Sequence, residues 1–407
     1  MTSMPLTLSH IVSARLRIEG SITNIACRES KALSNLCGAT IFTKREYLQQ
    51  TGSFKERGAC NALLLLDAAQ RAKGVIAASA GNHALALAFH GARLNIPVTV
   101  VMPRYAPLIK QTRCAQMGAR IILAGNDIGE AKVHAETIIE KEGQTYIHGF
   151  DGLEVIAGQG TIGLELIEQI PDLQAVVCPI GGGGLIAGLA LAIKETKPDV
   201  RIIGVEPTHC CSYIASLTAG HPVKVDTRPT LADGLAVPQV GANAFEIAKG
   251  RVDEVVSVGE EDISLAILRL MELEKGVVEG AGATPLAAFL AGKLDHLRGK
   301  CVALVLCGGN IDLAVLGRII EHGLVADGRL TRFTATISDR PGGLQDFAAA
   351  VASTGASIKQ VEHERAFSFV DISRVQVLAT VEVRDRDHIK QLHAALKARG
   401  MEVIDRT

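Results

Sequence analysis

The chain of 407 residues contains no tryptophan, and aromatic residues make up only 3% of it. A surface that stacks nucleic-acid bases on aromatic rings is therefore disfavoured. Neither sign of charge is in excess, because 42 Lys and Arg residues are balanced by 43 Asp and Glu residues. This balance gives no electrostatic basis for general binding to nucleic acid or to an anionic membrane.

Long hydrophobic runs are also missing, although the mean hydropathy is +0.25. The apolar run within Gly184–Ile193 is much shorter than the roughly 18 residues that a membrane-spanning helix requires. The first basic residue is Arg15, and no apolar segment follows a charged start, so we expect no secretory signal. The hydropathy is typical of short buried parallel strands and Ala-rich helices.

The nine cysteines form no C-x-x-C pair, and an odd number leaves at least one thiol free. A disulfide framework is therefore disfavoured, and we expect a cytoplasmic protein. The consecutive residues His209, Cys210 and Cys211 cannot easily converge on one ion, so we expect no metal site there.

The pattern of apolar residues divides the chain in two. From residue 70 to about 320, short β-branched runs alternate with Ala- and Leu-rich stretches, which predicts βαβ units around a mostly parallel sheet. After a break at His322–Arg329, the order changes to β-α-β-β-α-β, which is that of a ferredoxin-like fold. We therefore expect domains at residues 1–322 and 330–407, joined by a linker at 323–329.

The segment Thr51–Gly58 (TGSFKERG) places a lysine at a glycine-rich helix start. Such a lysine can be an ordinary solvated charge. Alternatively, Arg57 and the helix N-terminus lower the pKa of Lys55, so that its amine can form a Schiff base.

Two further segments of small residues follow predicted strands. Ser79–His83 (SAGNH) follows the strand Gly74–Ala78, and four glycines at Gly181–Gly184 follow the strand Ala175–Cys178. Small residues between a strand and a helix let backbone N–H groups point at an anion, and we expect a phosphate at the four glycines. The first segment can also be a plain turn capped by its asparagine, with its histidine packed rather than acting as a base.

The glycine segment also fits a second kind of site. Gly182-x-Gly184-x-x-x-Gly188 resembles a relaxed dinucleotide fingerprint, and Glu206 ends the next predicted strand, where an acid would bind a ribose. A nicotinamide-dependent oxidoreductase is therefore an alternative, although it does not explain the two earlier motifs.

Two more motifs follow. Cys307–Asn310 (CGGN) comes directly after the predicted strand Cys301–Leu306. Because ligands of parallel sheets bind at the carboxyl ends of strands, this motif can face the same crevice as Ser79 and Gly181. Glu279 lies among small apolar residues, which predicts partial desolvation and a raised pKa; the alternative is an ordinary acid at a helix start.

In combination, the motifs SFKERG, SAGNH, GGGGL and CGGN resemble the pyridoxal-phosphate enzymes of fold type II, the tryptophan-synthase-β group. They are most similar to those of the threonine ammonia-lyases, over about Leu8 to His322. Residues 330–407 resemble an ACT domain, an amino-acid-sensing module. The resemblance implies an α/β fold of two subdomains with parallel or mixed sheets, the smaller at roughly residues 45–155, followed by the βαββαβ regulatory domain.

The resemblance implies a role for each matching residue. Lys55, beside Phe54, would form the Schiff base with pyridoxal 5′-phosphate and remove the substrate's α-proton, with Ser79 and Glu279 as further catalytic residues. The cofactor phosphate would be held by Gly181, Gly182, Gly183, Gly184 and Leu185. Asn82 would bond to the phenolic oxygen of the cofactor, and Cys307 and Gly308 would contact its pyridine ring. The substrate carboxylate would be bound by Ser79, Ala80, Gly81 and Asn82.

The activity implied is elimination of water from L-threonine followed by hydrolysis of the resulting enamine, which gives 2-oxobutanoate and ammonia, with L-serine as a slower substrate. A neutral cysteine at the pyridine nitrogen limits charge on the ring and favours prompt expulsion of the β-hydroxyl. A preference for L-serine or 3-hydroxyaspartate is an alternative, and so is a non-catalytic amino-acid-binding regulator.

Two departures from related enzymes bear on this expectation. Serine racemases of the group carry a second base, a serine, where this chain has Ala80, so racemisation is disfavoured. Their cation site begins at a glutamate that matches Glu206, but the next expected acid is Ser212, so a divalent metal is not expected.

The resemblance to an ACT domain implies allosteric control by an amino acid, with isoleucine as the expected effector and isoleucine biosynthesis as the expected setting. The effector would bind at the turn Asp339, Arg340, Pro341 and Gly342. Ligands of such modules often lie between copies, so we expect a homodimer or a homotetramer.

Overall fold

A computed structural model describes residues 5–365 and 373–406. They form two compact units, one ending at Ile311 and the other beginning at Asp312. Within these ranges, no helix combines the length and the apolar character needed to cross a bilayer. All nine cysteines lie in the described residues as free thiols.

The first unit contains two sheets and their flanking helices. Its strands are β1 (Arg28–Glu29), β2 (Thr40–Arg45), β3 (Val75–Ala78), β4 (Val98–Met102), β5 (Arg120–Leu123), β6 (Thr145–Tyr146), β7 (Ala175–Pro179), β8 (Arg201–Pro207), β9 (Glu254–Val258) and β10 (Cys301–Leu306). Its helices are α1 (Leu8–Ile18), α2 (Lys31–Cys37), α3 (Lys55–Leu65), α4 (Ala68–Lys73), α5 (Asn82–Leu94), α6 (Leu108–Gln116), α7 (Ile128–Glu142), α8 (Leu153–Gln169), α9 (Gly184–Thr196), α10 (Ser212–Ala219), α11 (Ala242–Ala248), α12 (Glu260–Glu274) and α13 (Gly280–Leu290).

The larger sheet has the order β1-β2-β10-β7-β8-β9, and the smaller has the order β5-β4-β3-β6. All neighbouring strands run parallel except β1, which is antiparallel to β2. Strands β4 and β7 are buried at every residue, as expected when helices cover both faces of a parallel sheet. The predicted α/β class with parallel and mixed sheets is confirmed.

Predicted and observed elements of this unit mostly agree within two residues. Strand β10 has the predicted bounds, Cys301–Leu306. Helix α12 begins at Glu260, where the backbone N–H of Gly259 donates to Oδ2 of Asp262 and closes the first turn.

Helices α1 and α8 and strand β2 have no counterpart among the predicted elements. Helix α8 contains glycines that lower its intrinsic helix propensity. The same glycines allow close packing: a Cβ on Gly158 would lie 2.6 Å from the carbonyl oxygen of Arg57, and one on Gly160 would lie 2.8 Å from that of Gly188. Contacts with α3 and α9 therefore outweigh the local preference of this sequence.

A buried group of charges joins β2, α3 and α8. The guanidinium of Arg57 contacts Oε1 of Glu46 at 2.8 Å and Oε1 of Glu165 at 2.6 Å. Lys44 also pairs with Glu165, and all four residues are buried. Breaking such a group from one side leaves an unpaired charge in the interior.

The second unit contains four antiparallel strands and three helices within the described residues. Its elements are α14 (Leu313–Ala326), β11 (Leu330–Ser338), α15 (Gly343–Ser353), β12 (Ser357–Glu364), β13 (Arg374–Glu382), α16 (Arg386–Ala398) and β14 (Glu402–Asp405). The sheet order β12-β13-β11-β14 and the chain order from β11 to β14 confirm the predicted βαββαβ ferredoxin-like fold. Helix α14 runs to Ala326 and so into the segment 323–329 that was expected to be a linker.

The buried charges predict an asymmetric response to two arginine substitutions. Arg57→Ala leaves Glu46 without its cation, and we expect the free energy of unfolding to fall by about 3 kcal/mol or more. In the control Arg15→Ala, the lost pair with Glu168 is largely exposed, so a change below about 1 kcal/mol is expected. Urea unfolding of the purified variants measures both, and equal losses would contradict this account.

Candidate active site

The predicted motifs lie where parallel strands end. Ser79 follows β3, Gly181 follows β7 and Cys307 follows β10. The start of α3 is tied to the last of these, because the backbone N–H of Phe54 donates to the carbonyl oxygen of Cys307 at 2.9 Å. Ser53 also forms an isolated bridge with Gly308.

Lys55 begins helix α3, and its amine lies in a largely enclosed position. Its Nζ donates to the carbonyl oxygen of Gly149 at 2.6 Å and lies 5.2 Å from the centroid of the Phe54 ring. Burial lowers the pKa of Lys55 to about 8, although the proximity of Cys307 and Glu279 opposes the shift. The pKa of Lys55 is lowered, as expected, but the main cause is burial rather than the charge of Arg57.

The four glycines form a loop that leaves no room for side chains. A Cβ on Gly182 would lie 2.3 Å from the ring of Phe150, and one on Gly184 would lie 2.1 Å from the carbonyl oxygen of Phe150. Gly183 has a φ of +89°, in the left-handed region, and immediately precedes α9. Because the first N–H groups of a helix lack intrahelical acceptors, this loop and the start of α9 can hold a phosphate.

Glu279 is buried, and both of its carboxyl oxygens accept hydrogen bonds. Nδ2 of Asn82 donates to Oε1 at 2.8 Å, and the backbone N–H of Asn310 donates to Oε2 at 3.1 Å. Burial, followed by the nearby charge of Asp233, raises the pKa of Glu279 to about 7. The predicted desolvation is confirmed, and this carboxyl group can hold or release a proton near neutral pH.

The segment predicted to hold a carboxylate forms the turn into α5. Oγ of Ser79 accepts a hydrogen bond from the N–H of Gly81 at 3.3 Å, and α5 begins at Asn82. His83 is buried, with Nε2 3.1 Å from the carbonyl oxygen of Ile147, and burial lowers its pKa to about 3. It is therefore a packed neutral histidine, as expected.

Cys307 is buried, and burial raises the pKa of its thiol well above the ordinary range, so the thiol is neutral. A side chain on the next residue would displace the Glu279 carboxyl group, because a Cβ on Gly308 would lie 2.3 Å from its Oε1. The structure thus brings Cys307, Gly308, Glu279 and Asn82 together around Lys55.

Three residues at the site were not predicted from the sequence. Gly149 accepts the Lys55 hydrogen bond through its carbonyl oxygen, and Phe150 packs against Gly182 and Gly184. Arg113 of α6 bonds to Oδ1 of Asn310 at 3.0 Å. A backbone carbonyl, an aromatic wall and an arginine from another helix leave no pattern in the sequence.

Glu206 is engaged in a helix start. Its carboxylate accepts hydrogen bonds from the backbone N–H groups of Tyr213 at 2.8 Å and Ile214 at 2.9 Å, and burial raises its pKa to about 7. Over residues 5–365 and 373–406, no three His, Cys, Asp or Glu side chains are grouped so as to hold a metal ion.

In the second unit, the predicted effector turn leads into α15. Gly342 has a φ of +100° and immediately precedes this helix, and the N–H of Asp339 donates to the carbonyl oxygen of Ser373 at 3.0 Å. A cavity of about 440 Å³ adjoins the turn. Its charged lining residues are Arg340, Asp346, Arg374 and Arg399.

Comparison with known proteins defines the class. Residues 18–308 match the family described as "Pyridoxal-phosphate dependent enzyme", and the chain belongs to this family. The dinucleotide alternative is therefore wrong: the glycine loop that suggested it belongs to a pyridoxal-phosphate fold.

Individual relatives within the family are named for narrower activities. The L-threonine ammonia-lyase of Thermotoga maritima is 46% identical over 398 residues, which are 98% of this chain and 99% of that protein. The processed threonine deaminase isoform 2 of Solanum lycopersicum has a TM-score of 0.75 at 36% identity, over 79% of this chain and 91% of that one. The serine racemase of Dictyostelium discoideum has a TM-score of 0.72 at 36% identity, over 76% and 99%.

The residues present fit pyridoxal phosphate, the cofactor of the family. The glycine loop offers an enclosed anion site, and Lys55 offers an amine whose lowered pKa suits Schiff-base formation. Cys307 offers a neutral thiol and Asn82 an amide beside them. The likeness to an ACT domain is not part of the family match, which ends at residue 308.

The glycine loop predicts that one added methyl group disrupts cofactor binding. In Gly184→Ala, the new Cβ would meet the carbonyl oxygen of Phe150, and we expect pyridoxal phosphate to bind about tenfold more weakly or worse. Gly317→Ala is the control, because a Cβ there meets no atom within 4 Å. Titration of the apoprotein, followed by visible absorbance, measures both affinities; equal affinities would contradict the close fit.

The lowered pKa of Lys55 predicts how cofactor uptake depends on pH. The neutral amine is the nucleophile, so the rate of uptake by the apoprotein should rise with pH through about 8 and then level off. An ordinary lysine, with a pKa near 10.4, would give a rate that is still rising at pH 9.5. Stopped-flow absorbance between pH 6.5 and 10 distinguishes the two profiles.

Proposed function

We propose that the protein is an L-threonine ammonia-lyase, which converts L-threonine to 2-oxobutanoate and ammonia. The observation that carries the proposal is the enclosed amine of Lys55, which bonds to Gly149, next to the residue that packs on the glycine loop, and lies near the Glu279 carboxyl group. The substrate follows from relatives named for L-threonine that match nearly the whole chain, at 46% and 43% identity. L-Serine, which lacks only a methyl group, is expected to be a slower substrate.

Each residue has a task that its surroundings support. Pyridoxal phosphate, when bound, supplies the electron-withdrawing ring that makes the substrate's α-proton acidic. Lys55 accepts that proton, since a lowered pKa keeps part of its amine neutral at neutral pH. Ser79, Ala80, Gly81 and Asn82, at the start of α5, bind the substrate carboxylate through a helix N-terminus.

The leaving hydroxyl needs a proton. Glu279 can supply it, because its raised pKa leaves a large share of the carboxyl protonated near pH 7. The neutral Cys307 thiol does not stabilise a protonated ring nitrogen as a carboxylate would, which favours elimination over longer-lived charge on the ring. Ala80 has no proton to exchange, so a second base of the racemase kind is missing at this position.

The second unit acts as a regulatory ACT domain that binds an amino acid, with isoleucine as the expected effector. Its ferredoxin-like topology and the charged cavity beside Arg340 support this role. We further propose a cytoplasmic homodimer or homotetramer, because ligands of ACT domains often lie between copies, and a place in isoleucine biosynthesis, which the expected effector implies.

The direct test compares two variants with the wild type for 2-oxo acid formation. Lys55→Ala should lower turnover of L-threonine about a thousandfold or more, because it removes the base. Lys293→Ala, at an exposed lysine, should retain the wild-type rate. Activity in Lys55→Ala would overturn the proposal.

The same assay of 2-oxo acid formation also tests the proposed substrate and the proposed effector. Higher turnover of L-serine or 3-hydroxyaspartate than of L-threonine would replace the proposed substrate. Turnover that isoleucine suppresses would support the effector and the biosynthetic role, whereas turnover indifferent to it would contradict both.

A further inference from the structure

Asn310 contacts four other segments of the first unit. Its backbone N–H donates to Oε2 of Glu279 at 3.1 Å. Its Nδ2 donates to the carbonyl oxygen of Thr51 at 2.6 Å and to Oδ1 of Asn82 at 2.9 Å. Its Oδ1 accepts from Nη1 of Arg113 at 3.0 Å. These partners lie in the loop before Lys55, at the starts of α5 and α13, and on α6.

The partners fix the orientation of the Asn310 amide. An arginine can only donate, so the atom that faces Arg113 must be the amide oxygen. A backbone carbonyl can only accept, so the atom that faces Thr51 must be the amide nitrogen. Two independent partners thus require the same orientation, and the reversed amide would lose both bonds.

The orientation of the Asn310 amide in turn fixes that of the Asn82 amide. Because Nδ2 of Asn310 can only donate, Asn82 must present Oδ1 to it, which directs Nδ2 of Asn82 towards Glu279. The hydrogen bonds run in one sense, from Arg113 through Asn310 and Asn82 to Glu279. The series begins at an obligate donor and ends at a carboxyl group.

Close packing holds Asn310 in this place. Gly52 has a φ of +79°, and a Cβ there would lie 2.9 Å from Oδ1 of Asn310. The loop before Lys55 therefore covers the amide directly, and its carbonyl at Thr51 takes one of the two amide N–H groups. Movement of Asn310 would disturb both this loop and Asn82.

We propose that Asn310, oriented by Arg113, is a positioning residue that keeps the Asn82 amide turned so that it can only donate into the site. This inference rests on the proposed function and on the expectation from the family resemblance that Asn82 would also donate to the phenolic oxygen of bound pyridoxal phosphate. An oxygen that shares the Schiff-base proton is best met by a donor. A reversed Asn82 would present its own oxygen and repel it.

The test uses a variant that keeps the shape of the side chain but exchanges its amide donor for a carboxylate oxygen, which also adds a negative charge beside Arg113. Asn310→Asp keeps the shape but replaces the donor by an acceptor, so Asn82 loses its orienting partner. We expect kcat with L-threonine to fall about tenfold to a hundredfold, with a smaller effect on KM. The visible absorption band of the bound cofactor and its pH titration should shift as well.

A second pair of variants keeps the test informative if that variant folds poorly. Arg113→Met removes the obligate donor from a partly exposed position and should lower kcat about threefold to tenfold, with a spectral shift in the same direction. Arg113→Lys retains a donor and should restore most of the loss. The control is Arg120→Met, which removes a guanidinium bound to Glu142 at the surface and should match the wild type.

The thermal unfolding midpoint of each variant shows whether it is folded. For the folded variants, the absorption spectra of the bound cofactor then test the role of Asn310. Shifts in Asn310→Asp and Arg113→Met, absent from Arg120→Met, support the inference. A loss of activity with an unchanged band and pH titration overturns it, since a structural role alone would give that result. If the wild type binds cofactor but does not turn over L-threonine, the proposed substrate is wrong, and the spectral comparison still decides the role of Asn310.

Discussion

The ion pairs of Arg57 with Glu46 and Glu165 are the constraint on which the site depends. Arg57 lies two residues after Lys55, and its ion pairs join the start of α3 to the turn that follows β2 and to α8. Because the charges are buried, α3 cannot rotate or slide without separating them. The position of the Lys55 amine is therefore set by a feature that does not itself touch the reacting groups.

Burial is also what prepares the groups for proton transfer. The same low-dielectric surroundings disfavour the charged form of each residue, so the pKa of Lys55 falls to about 8 and that of Glu279 rises to about 7. An amine and a carboxyl group with ordinary pKa values would both be fully charged at neutral pH. Here each is present partly in its neutral form, which a base and an acid acting in one reaction require.

Much of this could be predicted from the sequence, and the exceptions have a common cause. The βαβ alternation and the ferredoxin-like order are local patterns, so the sheets and most element bounds were predictable. Helix α8 was not, because contacts of Gly158 and Gly160 with other helices decide its state. Likewise, Lys55, Glu279 and Cys307 stand in recognisable motifs, whereas the acceptor at Gly149 and the donor at Arg113 act through groups that carry no local signature.

The measurement that tests the central claim most directly locates the cofactor on the chain. Borohydride reduction of the protein loaded with pyridoxal phosphate converts a Schiff base into a stable amine, which peptide mass spectrometry can assign to one residue. We expect one phosphopyridoxyl group per chain, on Lys55. A group on any other lysine, or none on a protein that shows the visible absorption band, would contradict it.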